Sequence, residues 1–165
     1  MKELMQVRQA VLDALNKAGV QAVAAFPEGR AKRYSGAVAT VAVGAAEGKG
    51  LGFCNYLGEC YDPETGTVRE LYGKQLEGEI IVDIRAEGAA DCESGCEAAA
   101  EVLLGGLPAG IRPGELRWES LQWEKTTGLF LRRGVLRCRA VFVAESAEEG
   151  EAFLDFILRG VMRNE

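Results

Sequence analysis

The segment that most constrains the fold runs from residue 115 to residue 146, ELRWESLQWEKTTGLFLRRGVLRCRAVFVAES. It predicts two long strands joined by a turn at TTG (126–128). The second strand has apolar or small residues at every second position, which would share one face: Leu136, Cys138, Ala140 and Phe142. Because successive side chains of a strand point to opposite faces, the segment predicts a long antiparallel pair with one buried face.

Three more stretches predict strands. LEGEIIVDIRAEG (76–88) alternates, with Ile80, Val82 and Ile84 between Ile81, Asp83 and Arg85, which indicates a long strand with one buried face. AVATVAVGA (37–45) is rich in valine and small residues, as a buried strand is. VQAVAAF (20–26) predicts a short strand, and the glycine-rich EGKGLG (47–52) predicts a loop.

Two helices are expected. Residues 2–18 carry apolar residues at helical spacing, and Gly19 is a natural stop: Leu4, Val7, Val11, Leu12 and Leu15. A second helix covers roughly 92–104, with Asp91 as its N-terminal cap. Gly105, Gly106 and Pro108 would end it.

The centre and the end of the chain add smaller elements. DPETG (62–66) is a strong turn signal between two short polar strands, which predicts a hairpin extending from the body. In the tail (147–165), Ser146 and Glu149 fit a helix capping box, whereas the β-rich FLDFILRGV favours a strand, the preferred alternative.

These elements predict an α+β fold: a mainly antiparallel β-sheet with two helices packed on one face and an extended β-hairpin. A chain of 165 residues, 48% hydrophobic and 27% charged, fits a single domain spanning 1–165.

Composition excludes several function classes. A net charge of −6 argues against non-specific nucleic-acid binding, which relies on clustered basic residues. The absence of histidine excludes Ser-His-Asp and Cys-His mechanisms. No run is long enough to span a bilayer, and the start lacks the apolar core of a signal peptide, so reduced thiols in a cytoplasm are expected.

The cysteines raise a metal-binding alternative. Without histidine, a zinc site would need Cys54, Cys60, Cys92 and Cys96 together, at spacings looser than C-x2-C. Cys92 and Cys96 instead fall on one helical stripe with Ala99, Ala100 and Leu103. The stripe favours buried thiols on a helix packed closely on the sheet.

Other motifs also fall short of a chemical site. GAAEGKGLG (44–52) has three residues between Gly44 and Gly48, and Gly50 replaces the hydroxyl residue that a phosphate-binding loop needs. A small enzyme could use carboxylates such as Asp83, Glu119 or Glu124, but nothing pairs them beyond ordinary strand-surface charge. We therefore predict no catalytic residue, no cofactor or cofactor-binding residue and no metal ligand.

Contact residues are the remaining candidates. Trp118 and Trp123, five apart in one predicted strand, would face opposite sides, one in the core and one exposed. Near the hairpin, the candidates are Tyr56, Tyr61 and Tyr72. The basic segments GRAKR (29–33) and RRG (132–134) favour solvated loops, with pairing to a neighbouring subunit as the alternative.

Taken in order, the chain resembles the small tail terminator or tail-completion proteins of long-tailed bacteriophages and prophages. The likeness lies in the opening helix MQVRQAVLDALNKAGV, the loop and strand AAFPEGRAKRYSGAVATVAV and the polar hairpin. It continues through the alanine-rich helix CEAAAEVLLGGL and the Trp-bearing strand pair. The cysteine content departs from the family, which does not need it.

The resemblance implies a structural protein of the virion, without a catalytic site. Such proteins form a ring, here expected to be a hexamer, which caps the tail tube and joins the head-side connector. The expected partners are further copies, the tail tube and the head–tail connector, with no nucleic-acid specificity and no membrane. The expected location is the bacterial cytoplasm, then the virion tail. The DPETG hairpin, with its tip at Glu64 and Thr65, and the long strands would be inter-subunit contacts.

Overall fold

The computed structural model describes residues 2–26, 34–146 and 157–158. Two helices and eight strands occupy this part of the chain. They are α1 (Lys2–Lys17), β1 (Ala22–Val23), β2 (Val38–Gly50), β3 (Tyr56–Asp62), β4 (Thr67–Ala86), α2 (Ala89–Gly105), β5 (Ile111–Trp118), β6 (Gln122–Glu124), β7 (Leu129–Ser146) and β8 (Ile157–Leu158).

The strands form one sheet in the order β1-β2-β4-β7-β5, with β3 on β4 and with β6 and β8 on β7. Only β1 and β2 pair in parallel. The two longest strands, β4 and β7, lie side by side in an unbroken antiparallel register from Glu70 opposite Ser146 to Ala86 opposite Phe130. The predicted α+β fold with a mainly antiparallel sheet is confirmed.

Both helices cover one face of this sheet, here called the inner face. The even-numbered residues of β4 and β7 point to it, because alternation is unbroken along their shared register. Its core members include Ile80, Val82, Ile84, Leu136, Ala140 and Phe142 from the sheet, Val11 and Leu15 from α1, and Cys92, Ala99 and Leu103 from α2. The opposite face carries the odd-numbered residues and is called the outer face.

Helix α2 packs tightly on the sheet because it presents a glycine there. A Cβ on Gly95 would lie 2.5 Å from the Cβ of Ala37 and 3.0 Å from Cγ2 of Ile84. The helix begins at Ala89 with Gly88 at the N-cap in an extended conformation, so the prediction of Asp91 as the cap is wrong. Asp91 lies in the first turn, where a carboxylate favours the positive end of the helix dipole.

Strand β2 is longer than the sequence predicts. The loop expected at 47–52 is wrong up to Gly50, because Ala46 to Gly50 pair with β4 from Gly78 to Lys74. The register shifts between Val43 and Ala46, which marks a β-bulge. Strands β2 and β4 approach so closely here that a Cβ on Gly78 would lie 2.9 Å from the Cβ of Ala46. The predicted strand at 20–26, in contrast, shrinks to Ala22–Val23.

The long pair predicted for 115–146 forms with an interruption. Strand β5 ends at Trp118, and β6 resumes only at Gln122. The turn predicted at TTG is confirmed: Gly128 has a φ of 68° and its N–H donates to the carbonyl of Glu124 at 2.9 Å. At the tail, Ile157–Leu158 pair with β7 as a strand. Glu149 and the rest of the tail lie outside the described residues.

The predicted central hairpin is also confirmed, but its second strand is not separate: it continues without a break into the strand predicted at 76–88, and together they form β4. Strand β3 pairs with the stretch Thr67–Tyr72 of β4, and these two segments are called the arm. Its tip is an Asx turn, in which Oδ1 of Asp62 accepts the backbone N–H of Glu64 at 2.9 Å. The backbone N–H of Gly66 donates to the carbonyl of Asp62 at 2.8 Å. Every residue of β3 is exposed or half-buried.

Candidate assembly surface

The cysteines do not form a metal site in the described part of the chain. Cys92 and Cys96 are buried on α2 against the inner face, as the helical stripe predicts. The Sγ of Cys92 donates to the carbonyl of Ile84 at 3.3 Å. Cys54 and Cys60 are exposed beside and within the arm. Among the described residues, no three Cys, Asp or Glu side chains are grouped so that they could hold a metal ion.

Burial also makes the core thiols poor nucleophiles. It raises the pKa of Cys96 to about 12 and the pKa of Cys138 to about 11, because the charged thiolate loses its water. The pKa of Cys92 rises for the same reason. At neutral pH these side chains are protonated, hydrophobic packing groups.

Two of the candidate catalytic carboxylates are held by arginines. Asp83 is buried on the outer face and accepts two bonds from Arg133, at 2.8 and 2.9 Å. Glu124 accepts two from Arg85, at 2.9 and 3.3 Å, and one from the Thr127 hydroxyl at 2.7 Å. These bonds, first the one from Arg85, lower the pKa of Glu124, whereas a general acid needs a raised pKa.

The third carboxylate, Glu119, is exposed between β5 and β6. Its backbone carbonyl accepts a bond from Nε of Arg132 at 2.9 Å. Both arginines of the basic segment 132–134 are therefore engaged within the chain, Arg132 here and Arg133 on Asp83. The other basic segment, GRAKR, lies outside the described residues.

The outer face carries rows of opposite charge on neighbouring strands. Glu77 of β4 accepts bonds from Arg139 of β7 at 3.0 Å and from Lys49 of β2 at 3.4 Å. Arg137 lies 3.7 Å from Glu79. These pairs are largely exposed, so each adds little to stability.

An open groove of about 560 Å³ crosses the same rows. Its charged lining residues are Glu47, Glu77, Glu79, Arg112, Arg137 and Arg139. The groove therefore presents both signs of charge rather than a single-sign pocket. Sequence reasoning missed these rows, although the signal was present: odd positions 77, 79 and 83 are acidic, and 133, 137 and 139 are basic.

The two tryptophans lie on the same face, so the prediction of opposite faces is wrong. Trp118 pairs with Gly134 and Trp123 with Phe130, both even-numbered positions of β7. The break between β5 and β6 resets the alternation between the tryptophans. The Trp118 ring lies where a Cβ on Gly134 would point, 2.6 Å from Cζ3, and is half-buried. Trp123 is 53% exposed and packs edge-to-face on Phe130.

Exposed apolar side chains concentrate in and beside the arm. Phe53 is 87% exposed and Tyr61 is 64% exposed, and Tyr56 and Leu57 lie between them, also exposed. Tyr56 packs edge-to-face on Tyr72 with ring centroids 5.7 Å apart. The register places Tyr56 opposite Tyr72 and Tyr61 opposite Val68, so the three predicted tyrosines share the inner face. These tyrosines extend the inner face beyond the cover of the helices, whereas the side chain of Leu57 lies on the outer face beside Gly73.

The sheet also has two edges without a strand partner in the described ranges. Strand β1 pairs with β2 only at Ala39 and Thr40, which leaves one edge of β2 unpaired from Val41 to Gly50. At the other end of the sheet, the far edge of β5 is unpaired. Unpaired edges offer backbone donors and acceptors to another strand. The arm and these two edges form the candidate assembly surface.

None of the helices among the described residues combines the length and apolar character needed to cross a bilayer.

The chain was compared with protein families, with curated proteins and with solved structures. No family model matches the chain. No curated protein matches it either. Among solved structures, it is similar to a chain of "Virion of native gene transfer agent (GTA) particle", with 14% sequence identity and a TM-score of 0.37. The match covers 84% of this chain and 93% of that chain. At this TM-score and identity, the likeness carries no argument about the function of the chain.

Proposed function

We propose that this chain is a non-enzymatic structural protein of a phage or prophage tail. In this proposal it assembles with further copies into a ring, with six as the expected number, at the end of the tail tube. The tail tube and the head-side connector are its other partners. The class of protein comes from the order of elements along the sequence, and the role in assembly is supported by the arm.

The arm is the observation that carries the proposal. It exposes Tyr56, Leu57 and Tyr61, with Phe53 exposed beside it, and no residue of β3 is buried. Aromatic side chains are enriched in the cores of protein interfaces, where their large apolar area leaves water. An arm of this kind gains apolar burial only when it contacts another surface, which supports a role in binding other subunits.

The chemistry of the remaining candidates supports a binding role over catalysis. Arg133 and Arg85 hold Asp83 and Glu124 through two bonds each. Bonds of this kind orient and neutralise carboxylates in a sheet surface. The buried thiols of Cys92 and Cys96 face an apolar sheet rather than a cleft. These groups therefore act as parts of the fold in our proposal.

The native mass in solution tests the proposal. For a chain of 17.7 kDa, light scattering should give a defined multiple of this mass that falls on dilution. Tyr61→Ser, which removes an exposed ring, and Thr65→Trp, which adds bulk at the exposed tip, should both lower the assembled fraction. Their circular dichroism spectra should be unchanged, because neither side chain is buried.

A matched control separates the arm from a general surface effect. Leu104 is 50% exposed on α2, so Leu104→Ser removes an apolar side chain of similar exposure from another element. It should leave the mass unchanged. A monomer at every concentration, or assembly equally sensitive to the arm and the helix variants, would count against the proposal.

A further inference from the structure

The two unpaired edges of the sheet have different characters. The free edge of β2 is built from small residues, including Ala45, Ala46, Gly48 and Gly50, all exposed. Where a Cβ would stand on Gly48, no atom lies within 4 Å. This edge therefore has open space on the inner face and few side chains to obstruct another strand.

Only a short stretch of the free edge of β5 can pair with another strand. Pro113 lacks a backbone N–H, and the pairing with β7 shifts register between Pro113 and Leu116. Proline and bulges are devices that blunt an edge. Beyond the shift, Leu116, Arg117 and Trp118 pair regularly with β7, and Glu115 lies next to the bulge. Glu115 and Arg117 are exposed, and Leu116 and Trp118 are half-buried.

The strand directions decide how these edges could meet. Strands β2 and β7 run the same way, and β4 and β5 run the opposite way, because each neighbour in the path β2-β4-β7-β5 is antiparallel. Consider two copies placed side by side so that their inner faces lie on the same side. If the β2 edge of one copy then lies beside the β5 edge of the next, these two strands run antiparallel. Such head-to-tail contacts generate rings when the rotation from one copy to the next closes.

We propose that β2 of one copy pairs with β5 of the next, with Glu47 opposite Arg117 and Lys49 opposite Glu115. The inference rests on the proposed ring and names its contact. Both pairs arise in the same antiparallel register, and cross-strand neighbours of opposite charge stabilise a sheet.

Three of the four charges that this register pairs have no ion-pair partner among the described residues. Glu47, Glu115 and Arg117 are exposed and form no ion pair with the described residues of their own chain. Lys49 contacts Glu77 at 3.4 Å, and half of its side chain is exposed. Three of these residues belong to the outer face because Glu47 pairs with Glu77, Lys49 with Gln75 and Arg117 with Val135. Glu115 lies on the same face, since it lines a small hollow with Glu79, Arg117 and Arg137.

The same register also fits by size on the inner face. It sets Gly48 opposite Leu116 and Ala46 opposite Trp118. The two large side chains are half-buried at the β5 edge, and the two small residues leave room beside them. A large residue opposite a small one in both inner-face pairs makes the edges complementary in shape as well as in charge.

A two-fold pairing of β2 with β2 of another copy is the main competitor. Centred on Gly48, it also sets Glu47 opposite Lys49. However, it sets Gly48 opposite Gly48, leaves the space there empty and leaves the β5 edge unpaired in both copies. Head-to-tail pairing uses both edges and fills that space, so we favour it.

Disulfide trapping tests the register. The double variant Glu47→Cys/Arg117→Cys is made in a Cys54→Ser/Cys60→Ser background, which removes the two exposed thiols. Residues directly opposite in an antiparallel pair have Cα atoms about 4.5–5.5 Å apart, within the disulfide range. Mild oxidation should give a ladder of covalent oligomers on non-reducing gels.

Three controls locate the contact. Each single-cysteine variant should stay uncrosslinked, and Glu47→Cys/Glu115→Cys, displaced by two residues, should give little product. Gly48→Cys alone should not crosslink. Crosslinking of Gly48→Cys to a dimer, without a ladder from the 47–117 pair, would overturn the proposal in favour of the two-fold contact.

Charge reversal gives a second readout on exposed residues. Glu47→Arg should weaken association roughly fivefold, because it sets two positive charges opposite each other. Adding Arg117→Glu restores opposite charges at the same contact and should restore association. If assemblies form but neither the 47–117 disulfide nor the rescue is seen, the edge contact is wrong and the ring proposal stands. A monomeric mass at all concentrations would overturn both.

Discussion

The body of the sheet and the arm follow the same two-residue alternation but differ sharply in burial. The body is the part under the helices, where Ile80, Val82 and Ile84 of β4 are almost completely buried. The arm continues β4 toward its N-terminal end, yet no residue of its strand β3 is buried. One strand, β4, therefore carries both a core and an exposed extension.

The difference separates stability from assembly. Apolar burial contributes most of the favourable free energy of folding, and here it is confined to the body. The arm keeps its large aromatic side chains in water, so it contributes little to the stability of an isolated chain. The two regions should therefore respond differently to substitution, to acid and to thiol reagents.

The largest effect on stability is expected in the body. Leu136 is fully buried on β7, so Leu136→Ala should lower the free energy of unfolding by about 2–5 kcal/mol, since it leaves a cavity. In the arm, Tyr61→Ala should change it by less than about 0.5 kcal/mol. Urea denaturation at a concentration where the protein is monomeric measures both. Equal losses would contradict the division between body and arm.

A smaller loss of stability should follow from adding a side-chain atom where α2 packs closely on the sheet. Gly95→Ala adds a Cβ 2.5 Å from Ala37, so the helix must shift, at a cost of about 1–3 kcal/mol. Gly105→Ala is the matched control at the end of the same helix, where no atom lies within 4 Å of the added Cβ. It should be neutral or stabilising by a few tenths of a kcal/mol. A neutral Gly95→Ala would show that this contact is loose.

The next effect is on the pH dependence of the free energy of unfolding. Because the Arg85 bonds lower the pKa of Glu124 from its ordinary value of 4.5, their contribution is complete above that value and is lost as pH falls through the lowered pKa. Glu124→Gln should cost about 1–2 kcal/mol at neutral pH and less near pH 3. Exposed Glu119→Gln is the control and should cost almost nothing. Denaturation midpoints against pH measure this difference, and a constant loss would contradict the charged bond.

Thiol accessibility compares the two regions without changing stability. A thiol reagent at neutral pH should label Cys54 and Cys60 within minutes, because both are exposed. Cys92 and Cys96 should react only after unfolding, since they are buried and their pKa values are raised. Mass spectrometry of labelled peptides gives the count at each site. Fast labelling of Cys92 or Cys96 in the folded protein would contradict the packing of α2.

The body was largely predictable from sequence, and the reason is its strict alternation. Ile80, Val82 and Ile84 mark one face without any knowledge of their partners, and helix spacing does the same for α1. The N-cap was not predictable from residue type alone, because Asp91 is a good capping residue and the N-cap is nevertheless Gly88, with the helix beginning at Ala89. Whether a helix begins one turn earlier depends on packing against the sheet.

The candidate assembly surface was predictable only in part. The turn signal DPETG located the arm, and its tyrosines were named. The extension of β2 through Gly50 was missed, because it depends on pairing with residues 74–78, far along the chain. The shared face of Trp118 and Trp123 was missed because a three-residue break between strands leaves no mark in the local pattern.

Hydrogen–deuterium exchange, measured below and above the concentration at which subunits associate, shows which backbone amides become protected in the assembly. We predict that amides of β3 and those on the free edge of β2 between Val41 and Gly50 gain protection on association, while those of Ile80–Ile84 in the body stay equally protected. Exchange that is the same at every concentration, or protection gained only on α1 and α2, would contradict the claim that the arm and the sheet edges form the assembly surface.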